Sequence, residues 1–437
     1  MRMSRFAIEK LFEAASKDLC CNTSYPYRRG YFSGYLSNRD IMEDVTKLSL
    51  YFHVPFCKSL CRFCEYTKFL ADDVALQNHY VDILERQVSK YLETHPVQLL
   101  YGLDIGGGTP TALTAENLER VLALTRNIIQ NSNFVSDFEP SIEFSYQTLD
   151  EKKSELIGKY GFARASSGIQ VYDSAFLKKE NRDNPKIETI RKKNEYLKQC
   201  GIQKINLDLM YGMQGQTGSM LQAGLEAVEA LQPEQVTLYE MRYNQVASKN
   251  SSWNRDTLFD AYSLLYHGLI KTGYQARFGQ NTFSKNAEDE GVSSYLRYRM
   301  GSGVPYKGFG ISAQSMSSRG ISYNSLKGSH DLHMPEIEQI EEAYTYLLPS
   351  EEIAAKYVCI ALYSGRFRIS ALSRLLGEDA KSHFAAEFGW LLEHDYIKMG
   401  NDFCQVTETG FRYYGAIAAL FWPPLHKTKF IEERTER

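Results

Sequence analysis

The sequence predicts an α/β protein in which six strand–helix units form an incomplete barrel, followed by a smaller helical unit. Between residues 47 and 275, short apolar runs alternate with longer amphipathic stretches, as in parallel sheets that are covered by helices. Runs such as residues 205–210 are apolar along most of their length, which suits strands buried on both faces. A closed barrel needs eight units, and the sequence shows no further two.

Each unit is defined by an apolar run and the helical pattern that follows it. The predicted strands are 48–54, 100–105, 141–146, 164–168, 204–210 and 235–241. The predicted helices are 74–93, 115–131, 151–159, 187–198, 218–231 and 256–271.

The remaining chain divides by composition into further regions around the barrel at 47–275. An N-terminal arm covers 1–46, and a Ser-, Tyr- and Arg-rich extension covers 276–345. Amphipathic helices followed by a predicted hairpin indicate a winged-helix-like C-terminal cap over 346–425, and a charged tail covers 426–437. We therefore expect one large domain and one small domain.

Composition excludes several classes of protein. The formal net charge of −3 argues against a nucleic-acid-binding protein. No run of eighteen apolar residues is present, so no membrane span is expected. Glu9 and Glu13 fall where a secretory signal would be apolar. Only three of the eight cysteines are clustered, so a reducing cytoplasm is expected rather than a disulfide framework.

The clustered cysteines are Cys57, Cys61 and Cys64, and they come directly after the strand predicted at 48–54. Soft thiolates suit iron–sulfur clusters and zinc, and four of them would complete either site. With three, one metal position stays open to a ligand that is not a cysteine. The alternatives are three buried free thiols, or a zinc site that His53 completes.

Polar residues mark the ends of the following strands, where ligands gather in parallel sheets. The run of Gly106, Gly107 and Gly108 follows the second strand, and without Cβ atoms its backbone can approach a ligand closely. The alternative is a tight turn between strand and helix.

Two carboxylates, Glu143 and Asp208, lie within otherwise apolar strands, which is costly unless each has a partner. A cationic amine or a ribose hydroxyl would serve. Gln170 lies just after the fourth predicted strand, at 164–168, and Arg182 follows further along the chain. The alternative for Glu143 is a structural salt bridge to another side chain. The alternative for Arg182 and Asp208 is an ion pair with a purely structural role.

The cysteine spacing resembles that of the radical S-adenosylmethionine (radical SAM) enzymes. Within them, the Tyr-Phe-His-Val-Pro-Phe-Cys run at 51–57 looks most like oxygen-independent coproporphyrinogen III oxidase and its relatives. This resemblance implies a [4Fe-4S] cluster on Cys57, Cys61 and Cys64. The amino and carboxylate groups of SAM would chelate the fourth iron, and one electron would release a 5′-deoxyadenosyl radical. It also implies the partial barrel fold of that family.

The resemblance extends to the residues that would hold SAM, because Asn-Leu-Asp-Leu-Met-Tyr-Gly at 206–212 and the Gly-Phe-Gly-Ile-Ser-Ala loop at 308–313 look like family motifs. In that family two SAM molecules lie side by side. Carried over, the first SAM would contact Tyr51, Gly107 and Glu143, with Gln314 as a further contact. The second SAM would contact Phe63, Gly108, Thr109, Gln170, Arg182 and Asp208.

One departure bears on the reaction: the family's oxidases carry a fourth cysteine where this chain has Tyr66. The resemblance therefore predicts a relative in which the second SAM donates a methyl or methylene group to an sp² carbon of a small molecule. The alternatives are a coproporphyrinogen oxidase-like enzyme of porphyrin or haem chemistry and a haem chaperone. A flavodoxin or ferredoxin would supply electrons, and we expect a monomer that binds neither nucleic acid nor membrane.

Overall fold

The computed structural model describes residues 4–243, 251–324, 340 and 342–435. The strands are β1 Leu36–Ser37, β2 Lys47–Val54, β3 Phe56–Cys57, β4 Phe69–Leu70, β5 Leu99–Gly107, β6 Asn133–Phe134, β7 Ser141–Phe144, β8 Arg164–Gln170, β9 Lys204–Tyr211, β10 Gln235–Glu240, β11 Thr282–Ser284, β12 Tyr306–Phe309, β13 Gln314–Ser317, β14 Gly320–Asn324, β15 Glu342–Leu347, β16 Arg366–Arg368, β17 Ile397–Met399 and β18 Phe403–Val406.

The helices cover the outer side of the sheet or belong to the terminal regions. They are α1 Arg5–Ser16, α2 Val74–Thr94, α3 Ala115–Gln130, α4 Glu151–Lys159, α5 Ser174–Lys179, α6 Ile187–Gln199, α7 Gly218–Leu231, α8 Arg255–Lys271, α9 Ser294–Ser302, α10 Ser350–Ala361, α11 Ile369–Leu376, α12 Ala380–His383, α13 Ala385–Glu393, α14 Glu408–Phe411, α15 Tyr414–Ala419 and α16 Pro424–Thr435. Among them, none combines the length and apolarity that crossing a bilayer requires.

One sheet organises the large unit, and its central strands are parallel in the order β12-β2-β5-β7-β8-β9-β10. Antiparallel β11 extends it beside β10, and β13, β14, β15 and β1 extend it beyond β12. Within the described chain the two ends of this sheet do not pair. The α/β fold with an incomplete barrel is therefore confirmed.

The six predicted strands are all present as consecutive parallel members, but the sequence missed a seventh parallel strand, β12. This strand pairs with β2 in parallel, with Gly308 opposite Tyr51. It has only four residues, and Lys307 and Gly308 interrupt its apolar character. Lys307 is buried because its Nζ lies 2.6 Å from Oε1 of Glu342.

The parallel strands bury apolar side chains under the helices and carry polar side chains on the inner face, and the helices are placed by local caps. Asp73 and Asp150 each accept a backbone hydrogen bond at the start of α2 and α4, which satisfies amides that the first turn leaves free. Helix α2 then buries Tyr80, Ile83 and Leu84 completely. Each such side chain stabilises the fold by about 1.5–3 kcal/mol.

The C-terminal unit begins with the order α10, β16, α11, α12, α13, β17, β18, and its strands form a separate sheet in the order β16-β18-β17. This is the winged-helix-like arrangement that the sequence predicts. Helix α16 crosses the start of the tail predicted at 426–437, and Phe430 within it is fully buried. The other domain boundaries stay predictions.

A buried arginine joins the N-terminal arm to the barrel. Arg255, the first residue of α8, forms an ion pair with Glu240 at 2.9 Å, and both side chains are almost fully buried. Its other guanidinium nitrogen donates to the carbonyl oxygens of Asp18, Leu19 and Cys21, at 3.3, 3.2 and 2.6 Å. One side chain thus fixes the end of β10 against the arm.

Candidate active site

The cysteine loop leaves β2 at the carboxyl end of the sheet and is closed at its base. Strands β3 and β4 pair there, and the amide of Ala71 donates to the carbonyl oxygen of Cys57 at 3.0 Å. Inside the loop, the amide of Cys64 donates to the carbonyl oxygen of Cys61 at 3.4 Å. The loop therefore presents its three thiols from a short, clamped segment.

Hydrogen-bond donors from two other segments, the turn after β5 and the connection after α5, face two of the thiols. Nη1 of Arg182 lies 3.6 Å from Sγ of Cys61, and Oγ1 of Thr109 lies 3.7 Å from Sγ of Cys57. Such donors stabilise a metal-bound thiolate. Burial raises the pKa of Cys57 to about 11, so a cationic partner such as an iron–sulfur cluster is needed to hold its thiolate.

The arrangement fits a cluster better than a single metal ion. Among the described residues, no three His, Cys, Asp or Glu side chains are grouped closely enough for one ion. In a cubane cluster each thiolate binds a different iron, so the sulfurs need not converge on one point. His53 instead packs its ring against Gly107, and burial lowers its pKa to about 4. The zinc alternative completed by His53 is therefore not supported.

The glycine run lies directly beside the cysteine loop. The amide of Gly108 donates to the carbonyl oxygen of Val54 at 2.8 Å, and that of Thr109 donates to Phe56 at 2.7 Å. A Cβ atom at Gly108 would lie 2.8 Å from the oxygen of Phe56 and 3.0 Å from Sγ of Cys57, so only glycine fits. Because these amides are already bonded, the run offers a ligand its carbonyl oxygens, which suit an ammonium group.

Glu143 completes this first group. Its Oε2 accepts a hydrogen bond of 3.0 Å from the amide of Gly107, and its carboxyl group lies against Gly106. The Glu143 side chain can be reached by solvent, but it lies deep in the barrel mouth. Desolvation there raises the pKa of its carboxyl group to about 7. Burial and the nearby Glu143 raise the pKa of Tyr51. The structure thus brings Tyr51, Gly107 and Glu143 together, and their contact with a first SAM stays a prediction.

The second predicted group gathers around Gly168, near the end of β8. Arg182 donates to the carbonyl oxygen of Gly168, and Gln170, in the left-handed region at φ 59°, packs its amide against the same glycine. Asp208 accepts a hydrogen bond of 2.7 Å from Nδ2 of Asn206. Desolvation raises the pKa of Asp208 to about 6, although the positive charges of Arg164 and Arg182 act to lower it.

Two polar atoms of this group lack partners within the described chain: Oε1 of Gln170 and Nε of Arg182 are buried without a hydrogen bond. Among the described residues, Arg182 and Asp208 form no direct salt bridge, although the charge of Arg182 lowers the pKa of Asp208. Buried polar atoms are normally satisfied. These two therefore point to a ligand in this part of the site.

Phe63 and Gln314, the two remaining predicted SAM contacts, lie in different parts of the fold. Phe63 packs against the small apolar cluster that contains Phe176 and Met213, beside α5. Gln314 begins β13, two strands away from β2. Its Oε1 accepts from the hydroxyl of Tyr306 at 2.5 Å and from Nη2 of Arg299 at 3.4 Å. Both partners hold the Gln314 amide within the protein, and its role as a SAM contact stays a prediction.

Comparison with known proteins supports the family that the sequence resembles. The family model described as Radical SAM superfamily matches residues 51–227, the segment that carries the cysteine loop, the glycine run, Glu143, Gln170, Arg182 and Asp208. A [4Fe-4S] cluster and SAM are what this superfamily implies, so the match supports both cofactors.

Similar curated proteins have names that concern haem and coproporphyrinogen III. The heme chaperone HemW of Bacillus subtilis is 28% identical over 44% of this chain and 50% of its own. An anaerobic coproporphyrinogen III oxidase of Cereibacter sphaeroides is 30% identical over 46% of this chain and 44% of its own. This chain therefore spans about half the length of each of them. The Helicobacter pylori oxygen-independent coproporphyrinogen III oxidase is 25% identical over 85% of both chains.

Among solved structures, the Escherichia coli coproporphyrinogen III oxidase HemN, described as a radical SAM enzyme, has a similar fold. Its TM-score is 0.69 at 22% identity, over 86% of this chain and 90% of that one. The likeness therefore extends beyond the barrel into at least part of the C-terminal unit.

Sequence reasoning missed an aromatic wall beside the radical SAM cysteine loop. Tyr66 and Tyr239 are 54% and 38% exposed. Both rings nevertheless face the mouth of the barrel, where the surrounding protein desolvates the phenols and raises the pKa of each. The Tyr239 ring lies 5.9 Å from that of Tyr363. Arg242 is 3.1 Å from Glu65 at the same place. We refer to Tyr66, Tyr239, Tyr363 and Arg242 as the tyrosine wall.

The cavity below the tyrosine wall runs into the barrel interior and is lined by charged and polar side chains, among them Asp104, Glu143, Arg164 and Asn206. Oδ2 of Asp104 accepts from Ser293 at 2.6 Å, whereas its Oδ1 is buried without a partner in the described chain. Asp104 could have been found from the sequence as another acid in an apolar strand. Tyr363 could not, because it follows α10 in the C-terminal unit.

Proposed function

We propose that this chain is a radical SAM enzyme that acts on a tetrapyrrole, a porphyrin- or haem-type ring, rather than a methyltransferase. The names of the relatives support porphyrin or haem chemistry better than the methyl or methylene transfer predicted from the sequence. The structural observation that carries the proposal is the tyrosine wall. Aromatic faces pack against a flat ring, and a guanidinium pairs with carboxylates such as those on tetrapyrrole side chains.

When bound, the cluster and SAM supply a 5′-deoxyadenosyl radical through one-electron cleavage of the sulfonium. The residues of this chain position that chemistry. Arg182 and Thr109 would donate to the thiolates that hold the cluster, and Glu143 with the glycine carbonyls would accept from the SAM ammonium. The tyrosine wall holds the substrate ring over the same cavity and keeps water from it, since an exposed radical would react with its surroundings.

Tyr66 limits which reaction of this class is proposed. It occupies the position where the oxidases of the family carry a fourth cysteine. The proposal is therefore radical chemistry on a tetrapyrrole, with a low-potential flavodoxin or ferredoxin as electron donor, and it does not specify oxidative decarboxylation. A haem chaperone is the competing function.

The test is deoxyadenosine formation by the anaerobic, cluster-loaded protein with SAM and dithionite. We expect coproporphyrinogen III or haem to stimulate it, and Arg242→Gln to raise the ring concentration needed for half-maximal stimulation about tenfold, because one charge-assisted pair is lost. Arg374→Gln, a change at an arginine of α11, is the matched control and should leave that concentration unchanged.

Each other outcome of this assay contradicts the proposal. Formation of S-adenosylhomocysteine together with deoxyadenosine would indicate methyl transfer. Tight haem binding without any SAM cleavage would indicate the chaperone. Equal effects of Arg242→Gln and Arg374→Gln would remove the tyrosine wall from the substrate site.

We also propose that two SAM molecules bind per chain. The unpartnered Oε1 of Gln170 and Nε of Arg182 support a ligand beside the first SAM. We expect Asp208→Asn to reduce the SAM bound from two per chain to one, because it removes the charge that a cationic ligand would face. Equilibrium dialysis with labelled SAM measures this number, and Asp379→Asn, a change at a surface helix cap, is the control. A single SAM per wild-type chain would refute the proposal.

A further inference from the structure

The outward face of the cysteine loop is joined to a second segment, which contains α5 and the start of α6. The amide of Arg62 donates to the carbonyl oxygen of Glu180 at 3.1 Å, and Nδ2 of Asn181 donates to that of Leu60 at 3.0 Å. The segments 57–70 and 174–193 are therefore in direct contact beside the cysteine loop.

Together these segments are strongly basic in a chain that is acidic overall. The two segments contain ten Lys or Arg and four Asp or Glu, whereas the whole chain has a net charge of −3. Seven of the cations are exposed. Arg191 and Lys192 lie within α6, and the other five precede it: Lys58, Arg62, Lys178, Lys179 and Lys186. Within the described chain none of these five takes part in a salt bridge, so their charges face solvent. We call these five residues the basic face.

The basic face lies where an electron must enter. Cys57 and Cys64 are half-buried, and Lys58 and Arg62 in the same loop are exposed. A protein that covered the basic face would thus be close to the cluster thiols. A patch of one charge sign accelerates encounter with a partner of opposite charge and orients it.

We propose that the basic face is the docking surface for an acidic one-electron carrier protein of the flavodoxin or ferredoxin type. The proposal rests on the radical SAM function proposed above, and it assigns the entry side for the electron. One electron passes from the reduced carrier to the oxidised cluster, and the carrier leaves oxidised by one electron. Arg182 and Lys68 are not part of this surface, because Arg182 faces Cys61 and Lys68 donates to the carbonyl oxygen of Cys64.

The test measures binding of a bacterial flavodoxin to the anaerobic, cluster-loaded protein by biolayer interferometry. We expect the triple variant Lys178→Glu, Lys179→Glu, Lys186→Glu to bind at least about tenfold more weakly at low salt. Binding of the wild type should itself weaken as salt is raised. The control carries the same charge change on exposed lysines elsewhere, Lys271→Glu, Lys381→Glu and Lys398→Glu, and should bind like the wild type.

A second readout separates docking from catalysis. Dithionite is small and needs no docking surface, so deoxyadenosine formation with dithionite should be the same in the triple variant and the wild type, whereas formation driven by reduced flavodoxin should fall. Equal flavodoxin binding by both variants, or binding only to a polyanion such as heparin, would overturn the docking proposal. A wild-type protein that binds flavodoxin but forms no deoxyadenosine with dithionite would instead refute the proposed function.

Discussion

Cys61→Ser is expected to remove nearly all iron and acid-labile sulfide from the anaerobically reconstituted protein and to abolish deoxyadenosine formation. Cys61 is 9% exposed and its sulfur lies 3.6 Å from Nη1 of Arg182. A cubane held by three thiolates that loses one would have two of its irons without a protein ligand, and a serine hydroxyl is a poor ligand for iron–sulfur clusters. Iron and sulfide per chain are the direct measurements.

Cys200→Ser is the matched control. Cys200 is a half-buried free thiol at the end of α6, far along the chain from the cysteine loop, so its replacement should leave iron content and activity unchanged. Thermal unfolding of both apo variants checks that neither change disturbs the fold. Full iron content in Cys61→Ser would exclude Cys61 from the ligand set.

Arg255→Met is expected to lower the free energy of unfolding by about 3–5 kcal/mol, the usual cost of breaking a buried ion pair on one side. The substitution leaves Glu240 buried without its cation at a pair distance of 2.9 Å. It also leaves the carbonyl oxygens of Asp18, Leu19 and Cys21 without the hydrogen bonds that Arg255 donates to them. Urea unfolding of the apo protein, followed by tryptophan fluorescence, measures the loss.

Arg319→Met is the control for Arg255→Met, because Arg319 pairs with Glu43 and Asp44 at the surface, with all three side chains well exposed. Exposed pairs of this kind contribute about 0–1 kcal/mol. The double variant Arg255→Met, Glu240→Leu should recover part of the loss, since no buried charge then stays unpaired. A loss in Arg255→Met no larger than in Arg319→Met would show that the arm is held by other contacts.

Much of the barrel could be predicted from the sequence because local signals agreed with tertiary structure. Helix α4 has the predicted bounds 151–159: Asp150 caps its start, and Gly161, at φ 82°, turns the chain just after its end. The six apolar runs became parallel neighbours in chain order because β/α units pack that way. The residues at their carboxyl ends then met at one edge.

The rest depended on contacts between distant segments. Strand β12 is too short and too polar to be recognised, and it is defined by its pairing with β2. The position of Gln314 was inferred from a motif, whereas Tyr306 and Arg299 determine where its side chain lies. Tyr363 reaches Tyr239 only because the C-terminal unit packs on the barrel mouth, with the amide of Asn281 donating to the Tyr363 carbonyl oxygen at 3.3 Å.

The position of Tyr363 has a consequence for any shortened form of this protein. A chain that ends after β15 would keep the whole cysteine loop and every strand of the large sheet. It would nevertheless open the chamber on the side that the C-terminal unit now seals. Bulk water would then reach Glu143 and Asp208 more freely, both carboxyl groups would ionise more readily, and a radical formed there would be quenched before it met its target. Exclusion of water, rather than cluster assembly, is what the residues after β15 would contribute to the chemistry.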